Sequence, residues 1–104
     1  MKTTDGTEIT FQTNKYHMFG RIAVLAFESE NGELYDDVTI NLPMYSLDDE
    51  EDAFLNDCTE IIKPMVENGY LEIIRECKTA FGTYQVGHFT EKFMKEFKNG
   101  DEEE

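Results

Sequence analysis

Alternation of apolar and polar residues predicts strands in the first part of the chain. Residues 7–13 alternate in the way that is typical of a short strand with one buried face. Residues 20–28 are mostly apolar and residues 33–42 alternate, so both segments predict strands. The dipeptide Asn31-Gly32 between them favours a two-residue type I′ turn, because both residues tolerate positive φ. These two strands therefore predict a β-hairpin.

Helical spacing of apolar residues follows Pro43, which ends the second strand, and an acidic loop at 46–52. Residues 53–68 place their apolar side chains on one helical face and predict a helix. Pro64 lacks the backbone N–H that a helix interior uses, so we expect it to bend or divide this helix. Gly69 is expected to end the helix as its C-cap.

A second hairpin and a last helix complete the predicted elements. Residues 71–78 and 83–89 predict two strands with Gly82 near their turn, and Thr90 caps a helix that runs through Phe97. The order β-β-β-α-β-β-α predicts an α+β fold. In it a small antiparallel sheet, made of two hairpins plus an N-terminal strand, packs against two helices.

The length and the apolar runs set limits on organisation. The 104 residues fit one domain over 1–104, and residues 99–104 predict a disordered acidic tail. No run approaches the roughly 18 apolar residues that a membrane span needs. The first residues are polar where a signal peptide would be apolar, so we expect a cytoplasmic protein.

The two-residue turn fixes a register that pairs Ala26 with Asp37, and opposed residues share a face of the hairpin. The predicted core face carries Ala23, Leu25, Phe27, Leu34, Val38, Ile40 and Leu42, with only Asp36 out of place. The opposite, acidic face carries Glu28, Glu30, Glu33, Tyr35 and Asp37. We therefore predict a regular row of carboxylates on the solvent side of this hairpin.

Charge is distributed unevenly along the chain, whose net charge is −14. Residues 22–62 contain twelve acids and no Lys or Arg, so they hold −12 of that charge. Like charges directly opposite one another in a sheet destabilise it by about 0.2–1 kcal/mol per pair, and a purely structural hairpin would usually place Lys among them. We therefore expect either a functional reason for the acids or a general role in solubility.

A negative ribbon of this kind would attract a groove that evolved to hold phosphates, since Arg and Lys pair with carboxylates in charge-assisted hydrogen bonds. The hypothesis is a non-enzymatic inhibitor that acts by DNA mimicry on a basic nucleic-acid-binding protein. The predicted partner-binding residues are Glu28, Glu30, Glu33, Tyr35 and Asp37 on the hairpin and Asp48, Asp49, Glu50, Glu51 and Asp52 in the acidic loop. Direct nucleic-acid binding is disfavoured, because the phosphates would meet a net charge of −14.

Chemical motifs are few. The chain has no Gly-rich phosphate loop, nucleophile elbow or zinc-binding spacing, so we predict no enzymatic activity, no cofactor and no metal site. Cys58 and Cys77 are expected to be free thiols. An alternative hypothesis is an accessory or scaffold module that uses an apolar patch to join a protein complex. Phe89, Phe93 and Phe97 are the candidates for that patch.

The segment from 20 to 42 resembles a family of small uncharacterised proteins of plasmids, phages and conjugative elements of Gram-positive bacteria. The residues that carry this resemblance are Ile22-Ala23-Val24-Leu25, Asn31-Gly32 and Val38-Thr39-Ile40-Asn41-Leu42. In size and charge the chain is also similar to anti-CRISPR proteins, several of which block the DNA- or PAM-binding groove of a nuclease. The resemblance implies a defence nuclease, most directly a Cas9-type effector, as the partner. For the alternative hypothesis it implies an accessory or scaffold protein of a plasmid or conjugative element.

Overall fold

The computed structural model describes residues 1–16, 20–47 and 49–97. They form β1 (Ile9–Lys15), β2 (Ile22–Glu28), β3 (Leu34–Asp37), β4 (Thr39–Ile40), β5 (Asp52–Leu55), α1 (Thr59–Glu67), β6 (Leu71–Thr79), β7 (Gly82–Phe89) and α2 (Glu91–Phe97). The predicted α+β class, with antiparallel strands and two helices, is confirmed, as is the order of the predicted elements. The tail at 99–104 lies outside the described residues.

The strands form two antiparallel sheets where the sequence predicted one. The first has the order β1-β2-β3 and the second has the order β4-β5-β7-β6. The predicted long strand at 33–42 divides at Val38, and its two parts belong to different sheets. The N–H of Val38 donates to the Val24 carbonyl at 3.0 Å, and its own carbonyl accepts from the Asn56 N–H at 2.9 Å. Val38 therefore joins the two sheets through its backbone.

The predicted helix at 53–68 is wrong in its first part, because Asp52–Leu55 forms strand β5. All four of its residues are buried, and β5 lies between β4 and β7. A strand that is covered on both faces carries a continuous apolar run, and such a short run does not distinguish a strand from a helix. The helix itself begins at Thr59.

Pro64 does not divide α1, which continues through it to Glu67. A proline removes the hydrogen bond that its N–H would donate to the carbonyl four residues earlier, here that of Glu60. The Thr4 N–H donates to this carbonyl instead, at 3.0 Å. Gly69 ends the helix as predicted, with φ of 77° and a hydrogen bond to the Val66 carbonyl.

The second hairpin and the last helix also agree with the sequence prediction. β6 and β7 pair from Leu71–Phe89 to Thr79–Gly82. The Thr90 hydroxyl accepts the Phe93 N–H at 3.3 Å, so Thr90 caps α2 as predicted. No helix of the described residues is long and apolar enough to span a bilayer.

The main core lies between the two sheets and the two helices. Phe93 of α2 is fully buried there, with ring centroids of Phe11, Tyr70, Phe89 and Phe97 at 5.0–6.0 Å. The apolar docking patch predicted at Phe89, Phe93 and Phe97 is therefore wrong, because the first two are core residues and the third packs against the core. Helix α2 is short, and its aromatic side chains all face the sheet that it covers.

The predicted faces of the first hairpin are reversed on β2. Ile22, Val24 and Ala26 point into the core, whereas Leu25 and Phe27 are only partly buried. Because β2 is apolar from Ile22 to Phe27, its periodicity does not select a face. Strand β1 determines which face of β2 is buried. Its own buried residues are paired with residues of β2, namely Ile9 with Glu28, Phe11 with Ala26 and Thr13 with Val24.

The register between β2 and β3 also differs from the prediction. Ala26 pairs with Asp36 and Leu25 with Asp37, and a bulge separates them from the Phe27–Leu34 pair. The chain between these strands is longer than a two-residue turn, because the Glu28 N–H donates to the Glu33 carbonyl at 2.8 Å. A bulge shifts the pairing by one residue, so it moves every side chain beyond it to the other face.

Candidate protein-interaction surface

Carboxylates of the first hairpin gather at its loop and along β3, the edge strand of the first sheet. Glu30 and Glu33 are exposed, and Glu28 is half-buried with its Oε1 accepting from Asn31 Nδ2 at 3.1 Å. Asn31 Oδ1 accepts the Glu33 N–H at 2.9 Å, so this one side chain orders the loop. The predicted residues Glu28, Glu30 and Glu33 therefore lie at the same end of the first sheet.

Tyr35 differs from the prediction, because it packs against the main core and does not lie on the acidic face. Its hydroxyl donates to Asp5 Oδ2 at 2.9 Å. Hydrogen bonds from Thr3, Tyr35 and Thr7 hold the pKa of Asp5 well below its ordinary range. The N-terminal turn thereby adds an ionised carboxylate beside β3 that sequence reasoning had missed.

The end of β3 meets the start of α1, where four more carboxylates surround one buried thiol. Burial, and after it the negative charges of nearby carboxylates, together raise the pKa of Cys58 to about 12. These carboxylates belong to Asp36, Asp37, Asp57 and Glu60. Asn56 fixes the junction by donating its side-chain amide to the Asp37 carbonyl at 3.0 Å. Asp36, which seemed out of place in the sequence, thus belongs to a carboxylate cluster.

We call this surface the acidic edge. It comprises Asp5, Glu28, Glu30, Glu33, Asp36, Asp37, Asp57 and Glu60. Three separate segments supply it: the N-terminal turn, the loop with β3, and the chain that leads into α1. No ion pair between described residues involves a carboxylate of the acidic edge.

Several basic side chains have structural partners elsewhere. Arg21 donates to the Leu42 and Tyr45 carbonyls at 2.9 and 2.5 Å, and Arg75 donates to the Ser46 carbonyl at 3.0 Å. Together they hold the 42–46 segment over the outer face of the second sheet. Lys92 donates to the Asn68 carbonyl at 2.7 Å. These cations therefore stabilise loops and helix ends and leave the acidic edge unneutralised.

The predicted acidic loop is not a continuous binding surface. Asp49 and Glu50 are exposed and Glu51 is half-buried, whereas Asp48 lies outside the described residues. Asp52 was predicted to contact a partner, but it is 3% exposed on β5. Its Oδ1 lies 2.8 Å from His88 Nδ1 on the neighbouring strand β7. Asp52 is therefore a structural residue, and the sequence prediction for it is wrong.

The two predicted acidic segments lie at opposite ends of β5. Asp52 begins this strand, whereas Asn56 follows its other end and donates its side-chain amide to the carbonyl of Asp37 in the first hairpin. Three residues of strand span on the order of 10 Å. The structure therefore assigns the hairpin carboxylates and the 49–52 segment to separate places.

The stability of the fold is expected to decline as the pH rises through the pKa of His88. The hydrogen bond to Asp52, with the charges of Asp52, Asp49 and Glu51, raises this pKa above 6.5 against the effect of burial. The contact between protonated His88 and Asp52 therefore stabilises the fold fully below pH 6.5. This contribution is lost as the pH rises through the raised pKa of His88. Urea unfolding at about pH 6 and about pH 8.5 measures the change.

The matched control is His88→Gln, which keeps a polar side chain and cannot be protonated in this range. Its free energy of unfolding is expected to change less between the two pH values than that of the unmodified chain. An equal decline in both proteins would show that another group is responsible.

Carboxylates that lie outside the predicted set complete the surface. Asp5, Asp57 and Glu60 were missed because they belong to the N-terminal turn and to the α1 region, far from the hairpin in sequence. The only signal in the sequence that grouped Asp57 and Glu60 with the hairpin is the absence of Lys and Arg from 22 to 62. Among the described residues, no group of three or more His, Cys, Asp or Glu side chains is arranged to hold a metal ion.

Comparisons of the chain with protein-family models, with curated proteins and with solved structures found no match.

Proposed function

We propose that this protein is a non-enzymatic inhibitor that binds the basic nucleic-acid groove of a defence nuclease by imitating the charge of DNA. The acidic edge makes the contacts, and a Cas9-type effector is the partner to test first. The protein would come from a mobile element and act in the cytoplasm. The observation that supports this proposal is a carboxylate surface built from three segments and without a neutralising ion pair among the described residues.

The spacing of these carboxylates suits a phosphate-binding groove. From Glu33 to Asp37 the backbone advances about 13 Å, at roughly 3.3 Å per residue. Each strand of duplex DNA carries one charge per about 3.4 Å. Glu33, Asp36 and Asp37 lie within this length, so a groove whose Lys and Arg side chains are set at phosphate spacing would find up to three carboxylates there. The long-range field of a chain with net charge −14 also accelerates encounter with a basic surface.

Reversing three exposed charges of the acidic edge is expected to weaken inhibition at least about tenfold. The variant combines Glu30→Lys, Glu33→Lys and Asp37→Lys, whose side chains make no described ion pair. Each lost charge-assisted contact with a basic groove is worth about 1.5–3 kcal/mol, so one such loss already suffices for a tenfold effect. The measurement is cleavage of a target plasmid by a guide-loaded Cas9-type nuclease.

The matched control reverses three exposed carboxylates outside the acidic edge, with Glu67→Lys, Glu72→Lys and Glu76→Lys. Both variants change the net charge from −14 by six units to −8. If the position of the reversed charges matters, the control variant inhibits nearly as well as the unmodified chain. Equal losses in both variants would contradict mimicry by a defined surface, and unchanged inhibition in the first variant would contradict the acidic edge.

The order of addition and the salt dependence test the same mechanism. Competition for the groove predicts inhibition when the protein is added before DNA and little inhibition when it is added afterwards. Ionic contacts also predict a steep loss of binding with added salt, whereas apolar contacts predict almost none. Salt-independent binding would favour the accessory or scaffold function.

A further inference from the structure

A cleft opens where β5 and β7 separate. Their ladder ends at the pair Phe54–Val86, although β7 continues back to Gly82. Beyond Leu55 the chain turns away, because the Asn56 N–H donates to Val38 on the other side of β5. Among the described residues, the first half of β7 therefore has a neighbouring strand only on its β6 side.

This cleft has a volume of about 430 Å³. Its lining includes Asn56, Asp57, Phe81, Thr83, Tyr84 and Gln85. Phe81 is at the turn of the second hairpin and is 64% exposed, which is unusual for a large aromatic side chain. Phe81, Asp57 and the edge of β7 thus lie around the same cleft.

The backbone of Thr83 points into the opening. Thr79 and Gly82 flank a two-residue turn, so they form a hydrogen-bonded pair, as does every second pair beyond them. Thr83 is opposite Lys78 in the intervening, non-hydrogen-bonded pair. Its N–H and C=O are therefore directed away from β6 and toward the cleft. They are placed to pair with one residue of an additional strand.

The other open edge of this sheet is less suited to strand addition. β6 carries a bulge between Ile73 and Arg75, and bulges disrupt pairing with a further strand. Its exposed side chains also alternate in sign along the strand, with Glu72, Arg75, Glu76 and Lys78. The β7 cleft lacks both of these protections.

Charge indicates which occupant the cleft accepts. Asp57 lines it, and Asp36, Asp37 and Glu60 are close enough to Asp57 to act on the same thiol. A second copy of this chain would bring another net charge of −14 against these carboxylates. A segment that carries Lys or Arg would be attracted instead.

We propose that the cleft binds an extended basic segment of the partner protein by strand addition to β7. The backbone of that segment pairs with Thr83, one of its Lys or Arg side chains contacts Asp57, and an apolar side chain covers Phe81. This inference rests on the proposed function, because the same partner protein contacts the acidic edge with its basic groove and the cleft with an extended basic segment.

The probe is the capped pentapeptide Val-Lys-Val-Lys-Val, titrated into ¹⁵N-labelled protein and followed by amide chemical shifts. Strand addition predicts concentration-dependent shifts of the Thr83 and Gln85 amides and protection of the Thr83 amide from exchange. The matched probe, Val-Glu-Val-Glu-Val, is expected to produce no shifts at the same concentrations. Shifts that map to β6 for the basic peptide would overturn the assignment.

Two substitutions in the cleft are expected to weaken binding of the basic peptide at least about tenfold each, as is typical of an interface anchor. They are Phe81→Ser and Asp57→Lys, both at exposed positions where the fold tolerates change. The controls are Met44→Ser, at a side chain that is 67% exposed, and Glu67→Lys on α1. The amide spectrum of each variant also verifies that it is folded.

The nuclease assay separates this inference from the proposed function. If Phe81→Ser loses peptide binding and also weakens inhibition, the strand-addition site is supported. If the acidic-edge variant loses inhibition while Phe81→Ser keeps it, the inhibitor function stands and the cleft proposal is wrong. Dimerisation of the unmodified chain that Phe81→Ser abolishes would show that a second copy occupies the cleft, which also overturns the proposal.

Discussion

Replacing Phe93 by Ala is expected to lower the free energy of unfolding by about 3–5 kcal/mol. Phe93 is fully buried, and four aromatic rings surround it with centroids at 5.0–6.0 Å. The substitution removes the buried apolar surface of the ring and leaves a cavity that its aromatic neighbours cannot fill without moving. The described part of α2 has seven residues and depends on this contact, so the helix is expected to detach first.

Phe81→Ala is the matched control, because it makes the same chemical change at a side chain that is 64% exposed. Its effect on stability is expected to stay within about 0.5 kcal/mol. Urea denaturation followed by circular dichroism measures both variants. Similar losses for the two substitutions would contradict the placement of Phe93 in the core.

Replacing Gly87 by Val is expected to destabilise the fold by about 3 kcal/mol, and Gly87→Ala by about 1–2 kcal/mol. A Cβ atom at this position would lie 2.7 Å from Leu71 Cδ1 and 2.9 Å from Leu55 Cδ1. Both leucines are buried in the main core, so their side chains must shift to admit the added carbon atoms. Valine has a higher β-propensity than glycine, but β-propensities differ by only about 1 kcal/mol. Overpacking therefore determines that the substitution destabilises the fold.

A double-mutant cycle tests the cause. In a Leu71→Val background the opposing side chain is shorter, so Gly87→Ala is expected to cost at least about 0.5 kcal/mol less than it does alone. Thermal or urea unfolding of the four proteins gives the coupling energy. Strict additivity would show that Gly87 is required for a reason other than the space between Leu55 and Leu71.

Local signals in the sequence were sufficient for much of the fold. The second hairpin, the Thr90 cap and the Gly69 C-cap each depend on residues within a few positions of one another, and all were confirmed. The errors occurred where distant segments decide the structure. β5 is a strand because β4 and β7 cover its edges, and Pro64 is tolerated because Thr4 supplies the missing hydrogen bond.

The candidate surface was predicted only in part, again because contacts between distant segments decide the structure. Counting charges identified an acidic region, and Glu30, Glu33 and Asp37 are exposed in the structure as the hypothesis requires. Alternation did not determine which face of β2 is buried, because its residues from Ile22 to Phe27 are all apolar. Nor did it identify Asp52 as buried, since its partner His88 is 36 residues away.

Val38 joins the two sheets, and the carboxylates of the acidic edge lie on both sides of this junction. Asp36 and Asp37 precede it on the first sheet, whereas Asp57 and Glu60 follow the second sheet through β5. An excised hairpin peptide would therefore carry only part of the charge pattern. The pattern is a property of the assembled tertiary structure, so its presence reports on complete folding of the chain.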